Sequence, residues 1–223
     1  MRPMSDSATL SIPRKAKTKP KFRGYSHLIA FGASLGGVAM LASSHARGTH
    51  YAAGLIYGIC LVVTLGTSAL YHRPMWSLPA RERMRKLDHS GIALLIAGTY
   101  TPLSVAAAHG HASVGLWVMW ASAAAAIGFA VLWSYAPRGL RAAVYVVLGL
   151  VALPLIVHLP QLLGTARVTL LLVGAFIYVL GAVVYALRWP SPHPAVFGHH
   201  EVFHVLVIAA ATLQFGVILD LQG

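Results

Sequence analysis

The sequence predicts an all-α membrane protein with seven transmembrane helices. Of its 223 residues, 57% are hydrophobic and only 10% are charged. The apolar residues fall in repeated stretches of about the ~20 residues that a helix needs to cross the ~30 Å hydrocarbon core of a bilayer. Lysine and arginine are concentrated in the short segments between these stretches. Together these observations favour a polytopic helical membrane protein over a soluble one.

Seven apolar stretches define the predicted spans. Pro154 interrupts the fifth, and because proline lacks a backbone N–H we expect a kink in that helix. Glycines four residues apart in the first two spans predict close helix packing inside the protein, at Gly32 with Gly36 and at Gly54 with Gly58. The spans are placed at residues 26–44, 51–72, 87–107, 113–134, 142–160, 167–187 and 199–219.

The distribution of positive charge predicts the orientation in the membrane. Given seven spans, 15 of the 17 lysines and arginines fall on one face, and only Arg47 and Arg167 fall on the other. The positive-inside bias therefore predicts a cytosolic N-terminus and a C-terminus outside. Residues 1–25 are predicted to form a basic, disordered tail that contacts anionic lipid, and residues 26–223 one membrane domain. Topology thus accounts for the net charge of +12 without nucleic-acid binding.

Two helix-spaced pairs of polar residues stand out within the apolar spans. Ser68 and His72 lie in the segment SALYH at the end of span two, and His200 and His204 lie in HEVFH at the start of span seven. Residues four apart share a helix face, so both histidines of HEVFH can approach one ion. Asp88 begins span three on the same predicted cytosolic side. We therefore predict that these five residues converge.

Zinc suits such a set of ligands. Neutral imidazole is a preferred zinc ligand, and the three histidines His72, His200 and His204 leave a fourth position for an activated water. Asp88 could then accept or orient the proton of this water, and Ser68 could hydrogen-bond a developing oxyanion. For Asp88 the alternative is a first-turn anion that stabilises the helix dipole, and for Ser68 a bond to its own helix.

The remaining histidines are predicted to be interfacial or solvated. His89 is the uncertain case, since it follows Asp88 but points about 100° away around the helix. The others lie near one membrane face or in loops, at His27, His45, His50, His109, His111, His158, His193 and His199.

Three segments resemble the hemolysin III branch of the progestin and adipoQ receptor family. They are SALYH, LDHSGIALLIAGTYTPL and HEVFHVLVIAAATLQF, in that order on spans two, three and seven. The resemblance implies a bacterial inner-membrane protein of seven helices, with zinc held by His72, His200 and His204 and with Asp88 and Ser68 beside its water. Alkaline ceramidases are similar at a greater distance, which implies hydrolysis of a lipid amide or ester.

Two other functions remain open at this stage. HEVFH also matches the H-E-x-x-H pattern of metalloproteases, in which Glu201 would be the general base. For Glu201 we favour a structural role in the first turn of its helix. A receptor or cytolytic protein with structural zinc is the non-enzymatic alternative, because a fold and a metal site do not establish turnover.

Overall fold

The computed structural model describes residues 20–108 and 113–223, and every regular element in these two ranges is a helix. Seven helical segments are long and apolar enough to cross a membrane, as the sequence predicts, with α5 and α6 together forming the fifth. The helices are α1 Tyr25–Ala42, α2 Gly48–His72, α3 Leu78–Ala107, α4 Val114–Leu132, α5 Arg138–Leu150, α6 Leu153–Ile156, α7 Leu159–Leu163, α8 Thr165–Leu187 and α9 His199–Asp220.

Helix α3 begins earlier than the sequence predicts. Its first residue is Leu78 instead of residue 87, and Pro79 stands in its first turn, where a missing N–H costs nothing. The charged residues that follow, which we assigned to a loop, are helical. Asp88 therefore lies nearly three turns inside α3, so the idea that it stabilises a helix N-terminus is wrong.

The fifth span is broken instead of kinked. Helix α5 ends at Leu150, and two short helices follow it, each with a proline at its first or second position. Pro154 and Pro160 cannot donate the backbone bonds that would continue a helix through them. The single helix predicted over 142–160 is therefore three helices.

Helix α3 lies at the centre of the bundle and contributes to each of three apolar clusters. Leu95 packs with residues of α1, α2 and α9, whereas Ala93, Ala97 and Tyr100 pack with α4 and α5. Leu103 packs with α7, α8 and α9. Because α3 contacts so many neighbours, its position determines where Asp88 lies relative to the other helices.

The glycines of α1 and α2 differ in their surroundings. A Cβ on Gly58 would lie 2.9 Å from a side-chain carbon of Val38, so this glycine does permit close approach of α1 and α2. A Cβ on Gly32 or Gly36 would meet no atom within 4 Å. Internal packing is therefore the wrong interpretation for Gly32 and Gly36.

The segment before α1 and the segment after α9 form backbone hydrogen bonds at opposite ends of the bundle. The Phe22 N–H donates to Val196 O, just before α9, whereas the Ala46 N–H, just before α2, donates to Gln222 O, just after α9. Residues 1–19 of the predicted tail and the histidines at 109 and 111 lie outside the described residues. We call the end where α2 terminates and α9 begins the basic end; that it faces the cytosol stays a prediction.

Candidate metal centre

Three histidines converge at the basic end, as the sequence predicts. His72 is the last residue of α2, and His200 and His204 occupy the first two turns of α9. One potential ligand atom from each of the three lies within 4.8 Å of the other two. His72 and His204 are buried, with 6% and 2% of their surface exposed, and His200 is half-buried. We call these residues the histidine triad.

The rings of the triad face one another closely. The centroids of His72 and His200 are 4.6 Å apart, those of His72 and His204 4.9 Å, and those of His200 and His204 4.4 Å. The Nε2 atoms of His72 and His200 lie only 3.1 Å apart. The Nδ1 atom of His204 is buried without a hydrogen-bond partner among the described residues.

This arrangement fits a metal ion. Two lone pairs aimed at each other repel unless a proton or a cation lies between them, and an unpartnered buried nitrogen is costly. A shared zinc ion would be held by one nitrogen of each of the three rings. The three histidines could therefore hold a metal ion.

A carboxyl group and a hydroxyl lie beside the triad. The Oδ2 atom of Asp88 is 3.8 Å from His72 Nε2, and the Ser68 hydroxyl interacts with the Asp88 carboxylate. Ser68 lies one turn before His72 on α2 and is 4% exposed, whereas the Asp88 side chain is 12% exposed. All five residues predicted from the sequence are thus brought together in one place. The contact between Ser68 and Asp88 is more specific than the spacing alone implied.

His27 belongs to the same cluster, although we assigned it to the membrane interface. Its ring stacks on that of His204, with centroids 3.8 Å apart and planes 13° from parallel, and it is 4% exposed. No second histidine shares its helix face in the sequence, so spacing gave no signal. A clue is its place in the first turn of α1, at the basic end.

Gly24, the residue before α1, lies against the triad. Its φ of +80° is in the left-handed region, and a Cβ there would lie 2.7 Å from the His72 Cβ. Only glycine tolerates both conditions without strain. This glycine lets the start of α1 pass close to His72.

Glu201 has a structural role in the described residues. Its Oε2 atom accepts a hydrogen bond of 2.8 Å from the Gly198 backbone N–H, and its Oε1 atom forms an ion pair with Arg23. The side chain is 2% exposed. An acidic residue at the third position of a helix satisfies a free backbone donor and complements the helix dipole. This geometry agrees with the structural interpretation of Glu201.

His89 faces away from the triad. Its ring lies 3.4 Å from Arg141 Nη1, and its backbone carbonyl accepts a hydrogen bond from the Tyr145 hydroxyl. His199 contacts Ser191 through its ring and its backbone N–H. Neither residue belongs to the triad.

A surface cleft opens beside this centre. Its volume is about 470 Å³, and none of the three triad histidines lines it. Tyr71 does line it, and the Tyr71 ring lies 4.5 Å from that of His72. The other lining residues come from the first turns of α3 and from the segment after α4; they are Leu78, Pro79, Arg81, Glu82, Arg85 and Tyr135.

Comparison with known protein families identifies the relatives of this chain. The family profile described as Haemolysin-III related matches residues 15–215, which is most of the sequence. The chain belongs to the haemolysin III family. The resemblance noted from three segments is thereby confirmed over the whole bundle, and the protein is a multi-pass membrane protein of this family.

Curated members of the haemolysin III group and a receptor are similar to the chain. It is 26% identical to Hemolysin-3 homolog of Bacillus subtilis, and the alignment covers 74% of each chain. It is 27% identical to Hemolysin-3 of Bacillus cereus, over 80% of this chain and 78% of the relative. It is 31% identical to Adiponectin receptor protein of Drosophila melanogaster, over 72% of this chain but only 40% of the fly protein.

Proposed function

We propose that the chain is a zinc-dependent membrane hydrolase that cleaves an amide or ester bond in a lipid. The observation that supports this best is the placement of Asp88, which interacts with Ser68, at 3.8 Å from His72 of the triad. A structural zinc site is closed by four ligands, whereas a catalytic site has three protein ligands and an open position. A triad with an adjacent carboxylate matches the second arrangement.

Each residue of the site has its own role in the proposed reaction. Bound zinc would supply a Lewis acid and a water of lowered pKa at the open position. His72, His200 and His204 would hold the ion, and Asp88 would accept the proton that the attacking water releases and pass it to the leaving amine or alcohol. Ser68 would orient Asp88 by donating a hydrogen bond to its carboxylate. Burial of this end of the bundle would exclude competing water.

The surroundings favour a substrate that is itself a membrane component. The triad lies at the ends of helices that are long and apolar enough to cross a membrane. Lipid chains would therefore surround the outer surfaces of these helices. A lipid would approach it from the membrane, between helices or past the cleft that Tyr71 lines, whereas a soluble substrate would approach from the polar face. The expected partner is therefore a membrane lipid and no nucleic acid.

The environment is proposed to be a bacterial plasma (inner) membrane with the basic end in the cytosol. Two of the curated relatives come from Bacillus species, and the positive-inside bias supports the orientation. Single cysteines in the loop 73–77 should react with a membrane-impermeant thiol reagent only after the cells are opened, and a cysteine in place of Gly223 should react in intact cells. Labelling of both positions from the same side would contradict this orientation.

One observation bears on each of two alternative functions. A metalloprotease that uses Glu201 as its base is disfavoured, because both oxygens of Glu201 are engaged by Gly198 and Arg23. A receptor with structural zinc gains support from the similarity to the fly adiponectin receptor protein.

Substitution of Asp88 tests the hydrolase against both alternatives. Asp88→Asn removes the proton acceptor but no zinc ligand, so zinc-loaded variant protein should lose about 100-fold or more in the rate of lipid-amide hydrolysis. Glu201→Gln is the matched control, because it neutralises a carboxylate of the same site region and keeps a side-chain oxygen for Gly198. Its rate per zinc-loaded molecule should fall far less.

The reverse ranking, with peptide cleavage lost in Glu201→Gln, would support the protease. A wild-type protein that binds zinc but cleaves neither lipid nor peptide would support the receptor and overturn the hydrolase.

A further inference from the structure

Beside the histidine triad lies a group of arginines whose charge the described residues leave unbalanced. The Cζ atoms of Arg138 and Arg141, one turn apart at the start of α5, each lie 5.8 Å from the centroid of the Tyr185 ring. Tyr185 in turn lies 6.2 Å from the ring of His200. Arg188, at the end of α8, interacts electrostatically with Arg138. We call Arg138, Arg141 and Arg188 the arginine group.

No carboxylate in residues 20–108 or 113–223 pairs with the arginine group. The salt bridges among these residues leave all three members out. Asp88 interacts with Arg141 electrostatically but lies beyond 4.0 Å from it. The acidic side chains of these two ranges each have another basic neighbour, namely Lys86 for Glu82, His72 for Asp88, Arg23 for Glu201 and Arg167 for Asp220.

Some hydrogen-bond donors of the arginine group also have no partner among the described residues. Arg141 donates to the Ser134 carbonyl and contacts His89, but its Nε atom is buried without a partner among the described residues. Arg138 is half-buried, and no side-chain hydrogen bond to the described part of the chain occupies its guanidinium. Guanidinium groups brought together without a counter-charge repel one another, so this arrangement is costly unless an anion binds.

Topology alone does not explain where these arginines lie. The positive-inside bias favours arginine anywhere on the cytosolic side, including positions that are fully solvated. Arg83 on α3 is such a residue: it is exposed and is not among the charged groups that interact with Arg138. Arg138 and Arg141 instead both lie beside Tyr185, next to a triad ligand.

We propose that the arginine group binds the phosphate of a lipid head group and so holds a phosphate-bearing lipid next to the histidine triad. A phosphate monoester has a charge of about −1.5 to −2 at neutral pH and three acceptor oxygens, which matches several guanidiniums better than one carboxylate does. The planar fork of arginine is suited to phosphate oxygens. The proposal rests on the proposed function only in calling this lipid the substrate.

Binding can be measured separately from turnover. Zinc-loaded full-length protein in uncharged detergent would be titrated with dioctanoyl phosphatidate and with dioctanoylglycerol, which has the same acyl chains and no phosphate. Phosphatidate should bind at least ten times more tightly. Arg138→Gln should raise its dissociation constant about tenfold, the loss expected for one charged hydrogen-bonded contact, and should leave dioctanoylglycerol binding unchanged.

One further variant serves as a control. Arg83→Gln removes the same charge from the same side of the protein and should change phosphatidate binding less than twofold. The titration measures binding and not turnover, so a failure of the hydrolase proposal would not affect this test. Arg141→Gln is a second probe of the group, but it also removes the bond to Ser134, so Arg138→Gln is the decisive variant.

Competition with inorganic phosphate distinguishes free phosphate from a lipid head group as the source of the bound anion. Competition at millimolar concentration would mean that the site recognises phosphate itself, whether free or in a lipid, and absence of competition would assign it to the lipid. Equal affinity for phosphatidate and dioctanoylglycerol would overturn the proposal. An equal loss in Arg138→Gln and Arg83→Gln would overturn it too, since binding would then depend only on overall charge.

Discussion

Each end of helix α9 has one acidic residue, and the two are held in different ways. Glu201, in the first turn, is 2% exposed, accepts a bond from Gly198 and pairs with Arg23. Asp220, the last residue of the helix, pairs with Arg167, and these side chains are 54% and 45% exposed. An exposed pair is screened by water, whereas a buried carboxylate that loses its partner keeps its desolvation cost. The pair of Glu201 and Arg23 should therefore stabilise the structure around the metal centre, whereas the pair of Asp220 and Arg167 should not.

The same contrast extends to the rest of the two ends. At the basic end the buried polar residues cluster, with His27 stacked on His204 of the histidine triad and Asp88 beside His72. At the opposite end, the ion pair of Arg167 with Asp220 is exposed, and the bond between Ser104 and Ser113 joins two neutral hydroxyls. Buried polar groups in a membrane bundle are expensive, so their concentration at one end indicates a functional site there.

The largest effect in this comparison is expected from Glu201→Ala. The change leaves Arg23 and the Gly198 N–H without partners, and the free energy of unfolding in mixed micelles should fall by about 3 kcal/mol. Asp220→Ala is the matched control at the other end of α9 and should cost about 0–1 kcal/mol.

The double variant with Arg23→Ala added should recover part of the loss, because the unpaired arginine is then gone. Equal losses in Glu201→Ala and Asp220→Ala would mean that burial does not distinguish the two pairs.

A smaller effect is expected at His27, and it should appear in metal affinity. Stacking of one aromatic ring on another contributes about 0.5–1.5 kcal/mol, so His27→Ala should weaken zinc binding roughly two- to tenfold by freeing the His204 ring. His27→Phe keeps a flat ring at this position and should bind zinc nearly as the wild type does.

Competition with a zinc chelator of known affinity measures both variants. Exposed His158, which lies before α7 away from this centre, provides the control His158→Ala. If His27→Phe lost as much affinity as His27→Ala, an imidazole nitrogen of His27, and not its stacking, would be what matters.

The sequence predicted the parts of this molecule that follow from periodicity. The seven spans and the convergence of His72, His200 and His204 result from helix length, spacing and the alternation of direction between successive spans. Helix length and spacing do not predict contacts between side chains that are distant in the sequence. The stacking of His27 on His204 and the pairing of Arg23 with Glu201 depend on how α1 packs against α9, and no spacing within either helix encodes it.

Helix ends were harder to predict than helix faces. The helical start of α3 contains many charged residues, and hydropathy counts such residues as a loop although Pro79 favours a helix start. The arginine group was likewise assigned to topology, because a charge count does not show that Arg138 and Arg141 both approach Tyr185. These features require the three-dimensional packing of α5 against α8.

The central claim is that His72, His200 and His204 together hold one zinc ion, and metal analysis of purified protein tests it most directly. Wild-type protein and His158→Ala should contain about one zinc per chain, because His158 lies outside the triad. His72→Ala, His200→Ala and His204→Ala should each lose most of it, since a site with three protein ligands tolerates the loss of one poorly. Full zinc occupancy in all three folded variants would contradict the claim.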